Sequence, residues 1–168
     1  VGGLALMALL DNVRTVARPL DNEYLERDLA RLRARTGAAV IDRRRAARAL
    51  MKGLSENATI VLLPDQAVQE REGVLVPFLG RNAWTTAAPA KMALRNDSVI
   101  VFGFCIPDGA RHRLVFDEVI RVGELSEGER DPVALTAKIN DVISRRIAAN
   151  PEWWLWMHDR WKGTGKAQ

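Results

Sequence analysis

The chain has 168 residues, 48% of them hydrophobic and 27% charged, with a net charge of +4. That suffices for one domain with a sizeable core and is unlike a disordered chain. The single cysteine, Cys105, excludes an intrachain disulfide and fits a reducing compartment, and no apolar run reaches the roughly 18 residues of a membrane span.

The first stretch, "VGGLALMALL", reads as a helix that begins without a capping residue. A preceding segment is therefore expected. "VRTVAR" (13–18) alternates like a strand. From Asn22 to Thr36 the pattern is helical, with Leu25, Leu29 and Leu32 as the apolar stripe, Arg27, Arg31 and Arg35 opposite, and Gly37 as a stop. "AAVI" (38–41) predicts a short strand. A helix over 43–56 follows, with Ala47, Leu50, Met51 and Leu54 inward. "ATIVLLP" (58–64) reads as a strand buried on both faces. A long loop is expected over 65–84, then a helix over 85–95. "SVIVFGFCI" (98–106) and "RHRLVFDEVI" (111–120) pair across a Pro107-Asp108-Gly109 turn. Asp131-Pro132 starts a helix whose core stripe is Leu135, Ile139, Val142, Ile143 and Ile147. Asn150-Pro151 ends it and opens a second helix, "PEWWLWMHDRWK" (151–162), holding four of the five tryptophans. Strands alternating with helices imply an α/β fold, a largely parallel or mixed central sheet flanked by helices, in a single domain over 1–168.

Most catalytic patterns fail on geometry. "HRLVFD" sets His112 and Asp117 five apart in a strand, on opposite faces, so the histidine lacks its orienting carboxylate. His158 reads as structural or interfacial. "GLSEN" (53–57) lacks the second glycine of a nucleophile elbow, and "GTGK" (163–166) lacks phosphate-loop spacing. One cysteine and two separated histidines make no zinc set. The aromatics are gathered at one end rather than interleaved with basic residues, which argues against nucleic acid.

Three residues remain. Arg18 ends a strand and Asp65 directly follows one, where ligands of parallel sheets gather. Arg33 lies in a helix among other arginines. Each has a plain alternative, a loop salt bridge for Arg18 and Asp65 and a solvated face for Arg33. Four tryptophans represent roughly 800 Å² of burial at about 200 Å² each. They either seal the core or place some rings at lipid headgroups, with Arg160 and Lys162 toward phosphates.

Four stretches together, "ARPLDN" (17–22), "LLPDQ" (62–66), "EGVLVPFLGRNAWTTAAPAKMALR" (72–95) and "PEWWLWMHDRWK" (151–162), resemble the bacterial lipid A biosynthesis lauroyl/myristoyl acyltransferase family. The resemblance implies a glycerolipid-acyltransferase-like fold and transfer of a fatty acyl chain from acyl carrier protein or acyl-coenzyme A to a glycolipid hydroxyl. It implies work at the cytoplasmic face of the inner membrane, without a cofactor. Its catalytic H-x-x-x-x-D/E motif falls just before a segment like "VGGLALMALL", so the dyad is expected upstream of Val1, with no catalytic residue in this chain. By the same resemblance Arg33 and Asp65 are the functional arginine and aspartate. Arg18 and Asn22 match an R-P-x-x-N stretch, and all four are substrate-binding. Glu23 stands where the family often has proline, and "TTAAPA" replaces a more usual Thr-Gly-Pro-Ala. Two alternatives stay open, a non-catalytic lipid-binding remnant of the fold and a phosphatidylinositol mannoside acyltransferase.

Overall fold

The computed structural model describes residues 8–17, 20–42 and 46–164. The expected first helix falls mostly outside them. The chain divides into two compact units, Val1–Leu62 with Asp108–Leu114, and Leu63–Pro107 with Val115–Gln168.

The first unit is built on three parallel strands in the order β2-β1-β3: β1 (Val13–Ala17), β2 (Ala39–Asp42) and β3 (Thr59–Val61). Helix α1 (Glu23–Ala34) links β1 to β2, and α2 (Ala46–Ser55) links β2 to β3. The start of α1 follows from Asn22, whose Oδ1 accepts the backbone N–H groups of Tyr24 and Leu25. Acids in its first turn and arginines in its last suit the helix dipole. Gly37, at φ +73°, is the left-handed stop. Gly53 costs α2 about 1 kcal/mol of helix propensity, but a Cβ there would lie 2.8 Å from the Arg14 side chain. That clearance lets Arg14 donate to the Ala49 carbonyl and ion-pair with Glu56, locking β1 to α2.

Two expectations fail here. The leucine stripe of α1 is not buried: no α1 residue is, and Leu25 stays 59% exposed. The helix instead turns Arg33 inward. "ATIVLLP" does not form a strand covered on both faces, because β3 ends at Val61 and Leu63 is exposed. In α2 Leu50 is buried as expected and Met51 and Leu54 are half-buried, while Ala46 and Gly53 are buried in place of the exposed Ala47.

The second unit is not parallel. In place of the expected loop, β4 (Val74–Phe78) and β5 (Arg81–Thr85) form an antiparallel hairpin closed by Leu79-Gly80, both at positive φ. Strand alternation buries Val76, Phe78, Ala83 and Thr85. Gly73 permits this closure, since a Cβ would stand 2.7 Å from the Thr85 carbonyl oxygen. Helix α3 (Ala88–Asn96) begins three residues late because β5 runs on to Thr85. The long strands β6 (Val99–Asp108) and β7 (Arg111–Arg121) pair as a two-stranded sheet, as expected, but Pro107 and Asp108 belong to β6 and the turn is Gly109-Ala110. Helix α4 (Pro132–Ala149) starts at Asp131, whose carboxylate accepts the N–H groups of Val133 and Ala134. Its stripe, as expected, buries Leu135, Ile139, Val142, Ile143 and Ile147 against Phe78, Ala83, Ala90, Phe102 and Ile120.

The expected tryptophan helix is absent. Pro151–Trp153 make one 3-10 turn, Trp154 is extended, and turns follow.

Ahead of α4, the Lys138 ammonium at 2.7 Å and then the Ser126 hydroxyl hold the Glu129 carboxyl down at about 2. A depressed acid stabilises the fold fully above its ordinary value near 4.5. That stabilisation is lost as pH falls through about 2. Glu129→Gln should flatten the acid side of a Tm-against-pH curve below the ordinary carboxylate range. An unchanged acid slope would contradict this role.

Candidate functional site

Arg18 lies outside the described residues. Asn22 caps α1, and that role occupies its side-chain oxygen. Arg33 sits on the same helix with its side chain 18% exposed, and its Nη1 pairs with Glu26 Oε1 at 3.2 Å. The other Glu26 oxygen accepts the Leu20 N–H at 2.8 Å, so the acid fixes both the arginine and the approach to the helix. Arg33 and Glu26 line an open groove of about 350 Å³ with Ala30, Ala34, Ala38 and Val40. Small side chains make that groove, and Arg33 puts a cation on its wall.

Asp65 belongs to the second unit. It follows Pro64, two residues beyond the exposed Leu63, in a turn after β3. Its Oδ2 accepts the indole N–H of Trp154 at 3.1 Å. Two residues on, the Ala67 backbone N–H donates to His158 Nε2 at 2.9 Å. That bond makes Nε2 the acceptor and leaves the ring proton on Nδ1. His158 is thus structural, as its sequence context suggested. His112 is an exposed residue of β7, and Asp117 is paired with Arg146 at 3.0 Å.

The residue that sequence reasoning missed is Arg160, turned toward phosphates in one of the two readings of its segment and in fact 0% exposed. Its Nη1 donates to the Trp84 carbonyl at 2.9 Å and its Nη2 to Thr85 Oγ1 at 2.6 Å. Its guanidinium lies 4.4 Å from the Phe78 ring centre. Thr85 Oγ1 also accepts from Asn140 Nδ2, which reaches the Pro77 carbonyl as well. Burial pulls the Arg160 guanidinium down to about 10, and the charge of Asp65 works the other way. It therefore stays charged at neutral pH. The available signal was its position, a cation inside "WWLWMHDRW".

The tryptophans split. Trp154 and Trp161 pack on Phe78, with ring centres 5.6 and 6.2 Å away. Trp153, Leu155, Trp156 and Met157 are exposed, Met157 at 93%. Among the described residues no group of His, Cys, Asp and Glu could hold a metal ion, and no helix is long and apolar enough to cross a membrane.

Residues 2–163 match the family described as bacterial lipid A biosynthesis acyltransferase, and the chain belongs to that family. It is 26% identical over 151 residues to the lipid A biosynthesis acyltransferase of Haemophilus influenzae, covering 88% of this chain and 47% of that protein. It is 25% identical over 150 residues to the lipid A biosynthesis lauroyltransferase of Escherichia coli, with the same coverage. The chain spans about half the length of these relatives.

Arg160→Ala removes two hydrogen bonds and a ring contact and leaves a cavity. It should cost about 3 kcal/mol by urea unfolding. A loss below about 1 kcal/mol would mean that the guanidinium does not organise this core.

Proposed function

We propose that this chain is part of an enzyme that moves a fatty acyl chain from an acyl carrier protein or coenzyme A thioester to a glycolipid hydroxyl, with a lipid A precursor as acceptor. The match across residues 2–163 carries this reading. The two units act as one acyltransferase domain. A histidine of an H-x-x-x-x-D/E motif preceding Val1 takes the proton of the acceptor hydroxyl. The oxygen attacks the thioester carbonyl, the C–S bond breaks, and the leaving thiolate recovers the proton. Such general-base assistance supplies about 10²–10⁴-fold. The chemistry requires no cofactor.

Arg33 and Asp65 bind the acceptor in this reading, with Arg18 and Asn22 contributing at the end of β1. Arg33 is supported by its place on the groove wall, where a guanidinium can grip phosphate or sugar oxygens. The exposed run Leu155-Trp156-Met157 supports a peripheral seat at the cytoplasmic face of the inner membrane.

An in-frame H-x-x-x-x-D/E motif encoded just upstream of Val1 is expected. Its absence removes the enzyme reading and leaves a lipid-binding remnant of the fold. In the full-length gene product, Arg33→Ala should cost about 1.5–3 kcal/mol of transition-state stabilisation, roughly 10- to 150-fold in kcat/KM. An unchanged kcat/KM would sink the role of Arg33. For the membrane seat, lipids carrying a quencher should dim tryptophan emission, and Trp156→Phe should abolish part of that quenching. Identical quenching in the variant would put the surface elsewhere.

A further inference from the structure

We infer that Trp154 is a positioning residue for Asp65: its indole N–H fixes one carboxylate oxygen and leaves the other free to meet the substrate. This rests on the reading of Asp65 as an acceptor-binding group.

Asp65 stands in a turn, and no helix or strand of its own holds it there. The C-terminal segment supplies the support at two points. Trp154 Nε1 donates to Asp65 Oδ2 at 3.1 Å, and His158 Nε2 accepts the Ala67 N–H at 2.9 Å. Among the described residues only Oδ2 of the carboxylate makes a hydrogen bond, so Oδ1 is open. The donor cannot wander. The Trp154 ring is wedged between Phe78 at 5.6 Å, Trp156 at 4.8 Å and Trp161 at 6.3 Å. Phe78 is in turn covered by Arg160, whose own position is set by the Trp84 carbonyl and Thr85. A chain of contacts therefore runs from β4, β5 and α4 through the aromatic cluster to one carboxylate. A ring locked by packing with a single N–H to give is well suited to hold an acid at one angle.

A tryptophan kept only for bulk would be replaceable by phenylalanine. The indole N–H is the atom that distinguishes the two roles. The test therefore compares Trp154→Phe, Asp65→Asn and the double variant in the full-length gene product. The substrates are a lipid A precursor and an acyl carrier protein thioester. Trp154→Phe should keep its Tm within a few degrees, raise the acceptor KM about tenfold and leave the donor KM unchanged. The double variant should be no worse than Asp65→Asn alone, because both remove one coupled interaction. Wild-type kinetics for Trp154→Phe beside an impaired Asp65→Asn would overturn the inference, as would additive losses in the double variant. A fully active Asp65→Asn would instead overturn the reading of Asp65 itself, and the inference with it. Should Trp154→Phe fail to fold, the indole N–H resonance of Trp154 in the wild-type protein decides. The lipid A precursor should shift it, and an unmoved resonance overturns the inference.

Discussion

A guanidinium taken out of water costs several kcal/mol unless its donors find acceptors. Arg160 imposes that condition on the second unit. The groups that meet it come from the end of β5, a ring of β4 and, through Thr85, an amide of α4. None of these partners is charged, so each has to be aimed, and aiming them fixes how hairpin, helix and C-terminal segment meet. An apolar residue at 160 would tolerate several packings. The charged one tolerates the packing that feeds its two Nη groups, while its buried Nε has no partner among the described residues. This also accounts for the missing tryptophan helix. Aromatic residues gain little from helix formation. The segment instead takes an extended residue at Trp154 and turns afterwards, which sends Trp154 to Asp65 and Arg160 into the core.

Where local chemistry decides the backbone, the sequence was legible. Asn22, Gly37 and Asp131-Pro132 marked helix ends through capping oxygens, a left-handed glycine and a proline in the first turn. The strand pair at 98–106 and 111–120 and the core stripe of α4 could be read, though β6 has Val99 and Val101 exposed where a buried strand is expected. The hairpin over 74–85 could not. Its turn is Leu79-Gly80 rather than an asparagine-glycine pair, and Pro77 inside β4 argues against a strand. That proline is tolerated because β4 is an edge strand of a two-stranded sheet, and its carbonyl is taken by Asn140 of α4, a contact no local pattern reveals. The expectation of one central sheet, largely parallel or mixed, gives way to three small sheets. Parallel pairing held for the three strands connected by helices, and the rest are neighbours in sequence that pair directly.

Candidate residues showed the same division. Arg33 and Asp65 were singled out by position and resemblance, and their surroundings depend on tertiary contacts. Amphipathic reasoning put Arg27, Arg31 and Arg35 outward on α1, where they are, but it also put the leucines inward, and Leu25 and Leu32 are exposed. Glu26 lies seven residues before Arg33, two helical turns away on the same face, so the pair satisfies its charges while turned inward. The flanking small residues, Ala30, Ala34 and Ala38, give the guanidinium room, and a groove remains beside it. Leu25 and Leu32 are left facing outward as a consequence.

The tryptophan cluster answers to two demands that no single helix face can meet. Trp154 and Trp161 complete the core around Phe78, while Trp153 and Trp156 stay open with Leu155 and Met157. Consecutive residues in a turn can point in opposite directions, and here they do so at Trp154 and Leu155. The inward ring packs on the buried Phe78 and the half-buried Trp161. The outward run is presented by a backbone that the inward ring anchors. Asp65 is attached to that anchor by a single indole N–H. A carboxylate in a turn thereby shares its support with an exposed apolar run, and the aromatic residues at 153–161 supply both from one short segment.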